Sequence, residues 1–346
     1  MAQKPALICL KVSALMTFLL FFQTGSAQYN FGELDSKLQS HQKELSSNVV
    51  TLIYKGDKVI YQKEMGDFKA NTVAPIASCS KWLTAALVMQ FVDEGKLSLD
   101  DKVSKYLPIF NPYGKGFITI RQCLSHTTGI AGEKPGLMSI IKLSRYNSLE
   151  EEVNDFASKH ELQVQPGIEF RYSAIGLNIA GRVLEVIAKK PFDRIMQEKL
   201  FRPLNMRNTT FASEKAVNPS GGAKSTANDY MNFLVMLLNK GMFNGKRLLS
   251  EQSVELMQQP VTNLSMIKYA PAVAEGFNYA LGEWVQEADA SGKATCVASP
   301  GLFGTWPLID TKRGYAAIVF VKTLLNEQKK DIYMDLKGSI DEVLNR

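Results

Sequence analysis

The sequence predicts an α+β fold: an antiparallel sheet flanked by N- and C-terminal helices, with a mostly helical lobe inserted. Three observations carry this. Short strand-like runs lie near the start of the chain, between about 49 and 61. More follow near its end, from about 277 to 321. The stretch between them, from about 100 to 260, is dominated by helical patterning. Joining both groups of strands in one sheet leaves the helical block as a second lobe.

Taken in order, residues 33–46 read as a helix. Val49 to Tyr54 and Val59 to Tyr61 flank Lys55-Gly56-Asp57, a turn signal, and so form a hairpin. Ser78 to Gly95 is a long apolar helix that Gly95 stops. Tyr172 to Lys190 carries Ile175, Ile179, Val183 and Ile187 at a spacing of four, the mark of an amphipathic helix. Ala227 to Lys240 and Ser250 to Gln258 have similar character. Phe277 to Val285, Ala294 to Ala298, Thr305 to Ile309 and Tyr315 to Val321 read as strands, and Asp331 to Leu344 closes the chain as a helix. The expected division is an α/β lobe of residues 28–80 plus 270–346 and a helical lobe of 81–269.

The first 27 residues read as a secretory signal. Lys4 and Lys11 make a basic start, Val12 to Phe22 is an apolar run too short to span a bilayer, and Gly25-Ser26-Ala27 offers small residues for cleavage after Ala27. The alternative is an uncleaved anchor. The mature chain is expected to be periplasmic or secreted, with no stable membrane span. Its charge of +6, or +4 without Lys4 and Lys11, comes from scattered basic residues and not from a nucleic-acid-binding run. Cys79, Cys123 and Cys296 remain after cleavage, too few for a disulfide scaffold, and their pairing is open. No ligand pattern suggests a metal, and no cofactor is implied.

The chemistry centres on Ser78 and Lys81. S-x-x-K occurs four times, at Ser40/Lys43, Ser78/Lys81, Ser139/Lys142 and Ser265/Lys268, and only the second opens a long apolar helix. Residues three apart share a helix face, so the Lys81 amine would lie one turn above the Ser78 hydroxyl. A serine hydroxyl needs a base to become a nucleophile, and a lysine in a dry pocket loses enough basicity to serve. Cys79 beside them reads as a small buried hydrophobe. A histidine triad is disfavoured: there is no G-x-S-x-G elbow, and of His41, His126 and His160, His126 reads as a structural hydrogen-bonding residue.

Nearly all of the mature chain resembles the serine β-lactamase and penicillin-binding protein superfamily, in the branch of class C β-lactamases, DD-peptidases and related esterases. Ser78-Cys79-Ser80-Lys81 is similar to its S-x-x-K. Gly95-Lys96-Leu97-Ser98-Leu99-Asp100-Asp101, Ile120 to Gly129, Pro166-Gly167 with Phe170-Arg171-Tyr172-Ser173, and Ser225 to Asp229 follow in the family's order. The resemblance implies a β-lactamase/transpeptidase-like fold. It makes Ser78 the acylated nucleophile, Lys81 its base and Tyr172 a proton shuttle. The implied oxyanion hole is made by the backbone N–H groups of Ser78 and Leu302. Such a donor is worth about 3 kcal/mol.

Two departures stand out. The family's Y-x-N reads Tyr172-Ser173-Ala174, so the orienting amide is replaced by Ala174. Tyr230-Met231-Asn232 has the letters but sits inside another helix. The family's K-T-G or H-x-G reads Ser299-Pro300-Gly301, so a hydroxyl replaces the cation, while Gly301 still lets substrate lie against the strand. Lys134-Pro135-Gly136 lies in the helical half and is set aside. Ser299, Gly301 and Ala174 are the expected substrate-binding positions.

The expected function is an exported serine hydrolase acting through an acyl-enzyme on an ester, amide or lactam carbonyl of a small-molecule or peptide substrate. The lost cation weighs against substrates that carry a carboxylate, and so against an efficient β-lactamase. The alternative is a non-catalytic binding protein for cell-wall peptides.

Overall fold

The chain is described here by a computed structural model covering residues 29–132, 145–322 and 330–345. The expected signal segment, Lys134-Pro135-Gly136 and Ser139/Lys142 lie outside them. Seven antiparallel strands form the main sheet: β1 Val49–Lys55, β2 Lys58–Met65, β3 Asn278–Tyr279, β4 Trp284–Ala288, β5 Ala294–Ala298, β6 Trp306–Asp310 and β7 Tyr315–Val321. Their order across the sheet is β2-β1-β7-β6-β5-β4-β3. Early and late strands therefore do share one sheet, through the β1–β7 pairing that sets Val49 opposite Val321 and Lys55 opposite Tyr315.

Both faces of this sheet are covered, which is why β7 reads as an unbroken apolar run. Tyr315, Ala317, Val319 and Val321 meet the two terminal helices, α1 Gly32–Ser40 and α9 Lys330–Leu344. Ala316, Ile318 and Phe320 turn the other way into the larger core, which holds α2 Ser80–Asp93, α3 Ile120–Leu124, α4 Leu149–Lys159, α5 Ile175–Ala188, α6 Phe192–Met196, α7 Ala227–Leu238 and α8 Glu251–Gln258. α2 is buried on every side from Ser80 to Phe91, the pattern of a central helix. Gly95, at φ +67°, ends its backbone run, and the Lys96 N–H returns to Phe91 O at 3.0 Å.

The terminal-helix side also buries charge. Lys337, 2% exposed, binds Glu287, Asp341 (2.6 Å) and Asp310 (3.5 Å), and Arg313 binds Glu287 (3.0 Å) and Asp310 (2.6 Å). The three carboxylates are close enough to ligate a metal, but two cations already occupy their lone pairs.

Four local expectations are corrected. The first helix stops at Ser40, and the chain continues in turns to Ser46 and Ser47, which both take positive φ on the way to β1. The run from Phe277 to Val285 is two strands, broken where Gly282 turns at φ +84°. Tyr172 precedes its helix, which begins at Ile175. The strand expected at Thr305 to Ile309 runs instead from Trp306 to Asp310, and Ser299-Pro300-Gly301 lies in the loop before it.

Candidate active site

Ser78 sits in a single 3-10 turn, Ala77–Cys79, that leads into α2, so the regular helix starts two residues later than its pattern suggests. Ala77 takes φ +44°, a strained value for a residue with a Cβ, and strain of this kind collects at functional turns. The Ser78 N–H lies in the first turn of the helical segment, where backbone donors have no partner within the helix. The Ser78 side chain is half-buried, and Lys81 lies beneath it, 4% exposed.

Lys81 Nζ stands 3.2 Å from Ser78 Oγ and 2.8 Å from the carbonyl oxygen of Ser220. It also lies 4.7 Å from the centre of the Tyr172 ring. Burial with no paired carboxylate pushes the Lys81 ammonium down to about 7. The Tyr172 phenol hydrogen-bonds Ser78, yet burial outweighs that bond and holds it above its ordinary value. Tyr172 is thus a neutral phenol, and Lys81 is the group with a free lone pair near neutral pH. Burial likewise pushes the Cys79 thiol up, and its Sγ faces Thr305 O, which leaves it inert beside Ser78.

Tyr172 is held by backbone and aromatic contacts. Its N–H donates to Tyr269 O at 3.0 Å, and Arg171 N–H donates to His126 O at 3.0 Å. His126 accepts the Ser173 N–H at Nδ1 (3.3 Å), so the neutral ring carries its proton on Nε2 and donates it to Tyr279 Oη at 3.0 Å. Burial and the Lys81 charge hold His126 well below its ordinary pKa. The ring centres of His126 and Trp284 lie 4.5 Å and 5.4 Å from that of Tyr172.

The loop after β5 closes the other side. A Cβ on Gly301 would run into the Ile76 carbonyl and stand 3.0 Å from Cys79 Sγ, so the chain passes directly against the turn that carries Ser78. Gly304 N–H returns to Gly301 O at 3.0 Å. In that turn Leu302 is the second residue, whose N–H the turn does not use. Leu302 is 39% exposed. Ser299 is 3% exposed, and its hydroxyl faces two main-chain carbonyls, Ser78 O and Gly282 O, each at 3.4 Å. Its one proton is directed inward, away from any substrate. Ala174 is exposed at the head of α5 and brings no polar atom.

Three supports went unread in the sequence. The Ser220 carbonyl holds Lys81, and the only signal is the Pro219-Ser220-Gly221-Gly222 loop between helical patterns. Tyr230, inside α7, donates to Cys79 O at 2.8 Å and so braces the Ala77–Cys79 turn from behind. Glu283 is 0% exposed, with neither carboxylate oxygen meeting a partner among the described residues. It lies near both Tyr230 and Tyr279.

A two-sided sheet, a central helix headed by S-x-x-K, and a tyrosine and a glycine loop closing on that serine define the serine hydrolases of the β-lactamase fold. The comparisons agree with that class. The chain belongs to the Beta-lactamase family, whose sequence model matches residues 38–337. A solved protein from Bacteroides dorei DSM 17855 that carries a provisional β-lactamase name superposes with a TM-score of 0.82 at 31% identity, covering 92% of this chain and 100% of that one. Penicillin-binding protein 4 of Amycolatopsis lactamdurans is 28% identical over 62% of this chain and 64% of its own. Beta-lactamase-like protein 4 of Dictyostelium discoideum is 28% identical over 62% of this chain, which spans 46% of that longer protein. Among the described residues no helix is long and apolar enough to cross a membrane.

Proposed function

We propose that this chain is an exported serine hydrolase that works through an acyl-enzyme on an ester, amide or lactam carbonyl. Ser78 is the nucleophile, Lys81 the base and Tyr172 the proton shuttle. The observation that carries the reading is Lys81 Nζ at 3.2 Å from Ser78 Oγ, in a buried site that brings its pKa to about 7. A base poised near working pH serves general catalysis best.

In acylation, Ser78 Oγ forms a bond to the carbonyl carbon and its proton passes to Lys81 Nζ. The oxyanion faces the N–H groups of Ser78 and Leu302. Collapse breaks the bond to the leaving group, which takes a proton through Tyr172. In deacylation a water adds to the acyl carbon, Lys81 and Tyr172 take its proton, and Ser78 regains its own. With Ser299 turned inward, substrates lacking a carboxylate at that position are favoured, which points to esters ahead of penicillins and D-Ala-D-Ala peptides.

Intact-mass spectrometry tests this on the chain from Gln28 to Arg346, with a fluorophosphonate, a p-nitrophenyl ester and a penicillin. Adducts that map to Ser78 and vanish in Ser78→Ala are expected, with turnover fastest on the ester. Folded protein that takes no adduct from any reagent would reject the hydrolase reading in favour of a binding protein.

A further inference from the structure

The amide that the second motif lacks returns one helical turn later. Asn178 N–H donates to Ala174 O at 3.1 Å, so positions 174 and 178 share a face of α5. Asn178 is 1% exposed, and both ends of its amide are engaged. Its Oδ1 accepts the Ser220 N–H at 3.0 Å, and its Nδ2 donates to Glu152 Oε2, on α4, at 3.2 Å. The Ser220 carbonyl in turn accepts Lys81 Nζ at 2.8 Å.

We propose that Asn178 is a positioning residue for Lys81: it fixes Ser220 so that the Ser220 carbonyl aims the Lys81 amine at Ser78, with Glu152 fixing Asn178. The link is geometric. The N–H and C=O of Ser220 belong to neighbouring planar peptide units joined through its φ and ψ, so a bond to the first anchors one side of the Cα while Lys81 holds the other, and together they narrow the directions the carbonyl can take. Asn178 shares the Ser220 N–H with Asn218 Oδ1 (3.1 Å), which also accepts the Ser220 hydroxyl (2.7 Å), and Thr84 Oγ1 donates to Pro219 O (2.7 Å). Those bonds hold the loop to α2 and close the Asn218–Ser220 turn on itself, while Asn178 ties Ser220 to the helix that follows Tyr172. The orienting side-chain amide of the family's Y-x-N is thereby replaced by a backbone carbonyl that a displaced amide holds in place.

The consequence for catalysis rests on the hydrolase reading, but the effect on Lys81 does not. A fixed acceptor stabilises the ammonium form, so releasing it lowers the Lys81 pKa further. The titratable groups packed on Lys81 are Cys79, His126 and Tyr172. Burial keeps all three neutral near pH 7, so none of them masks such a shift.

The test titrates the Lys81 Cε signal in 13C-lysine-labelled protein, assigned with Lys81→Met, and measures acylation per folded molecule at a pH where the amine is free. Asn178→Leu keeps the side-chain size and removes both bonds. It should lower the Lys81 midpoint by about half a unit or more and slow acylation by about tenfold, part of the 10²–10⁴ a general base contributes. Glu152→Ala should act in the same direction and less. The double variant Asn178→Asp with Glu152→Gln, which rebuilds the chain with its polarity reversed, should recover most of the rate. Folded Asn178→Leu with wild-type midpoint and rate would overturn the proposal. If Asn178→Leu does not fold, the same two readouts on Glu152→Ala decide. A Ser78 that takes no label would reject the hydrolase reading while leaving the midpoint shift as the measure of this one.

Discussion

Replacing Glu283 with glutamine should stabilise the protein, by an amount that grows with pH. Glu283 lies at the Gly282 turn, 0% exposed, with neither oxygen paired among the described residues. Desolvation raises its pKa well above the ordinary 4.5, so the native state holds a proton that the unfolded chain releases. The native state binds the extra proton at every pH between the two values. Wild-type stability therefore falls by about 1.4 kcal/mol for each pH unit above 4.5, until the native carboxyl itself ionises. Glutamine has nearly the same shape and no proton to hold. Near pH 4.5 the two proteins should melt within a few degrees of each other. The gap should then widen by about 2 to 4 °C per pH unit, taking a few degrees per kcal/mol for a chain of this size. Thermal melts of both proteins at half-unit steps from pH 4.5 to 7 measure it. A gap that stays flat would refute the argument, because it would mean that Glu283 is already paired or solvated in the native state.

Activity should follow the base. The acid limb of the kcat/KM profile should have its midpoint near 7, rising with pH as Lys81 loses its proton. Tyr172→Phe should lower acylation by about 10²-fold or more, the usual worth of a positioned proton-transfer group, while leaving the Lys81 titration in place. Gly301→Ala should lose most ester turnover in a stopped assay, since the added Cβ meets the Ile76 carbonyl, which is backbone and cannot swing aside. Lys337→Met should cost about 3–5 kcal/mol in chemical denaturation, because Glu287, Asp310 and Asp341 keep their charges without it.

What the sequence made legible follows from what each feature depends on. β5 and β7 have the bounds their patterns suggest, Ala294–Ala298 and Tyr315–Val321, because two-sided burial leaves a continuous apolar run. The Ser78–Lys81 spacing was readable because a helix fixes what lies three residues away. The break at Gly282 was not, because its cause is tertiary: a Cβ there would stand 2.6 Å from Ala85 Cβ and 2.9 Å from Lys81 O. Ser220 escaped notice because its contribution is a carbonyl, which every residue has. Asn178 escaped because its partners lie 26 and 42 positions away. The inward turn of Ser299 could not be read either, since a serine in a motif looks the same whether its proton faces substrate or backbone.

The β1–β7 pairing has a consequence for how the molecule comes into being. Val49 waits for Val321, and the turn that carries Ser78 waits for Gly301. A ribosome must therefore make most of the polypeptide before the central sheet can close or the reactive serine can face its glycine. Contacts so distant in sequence delay folding, since loop entropy must be overcome before they form. The same delay means that any chain halted before β5 has Ser78 and Lys81 but lacks the Gly301 loop that packs against them. Truncated products of synthesis are thus expected to be inert, and the last seventh of the polypeptide acts as the step that switches it on.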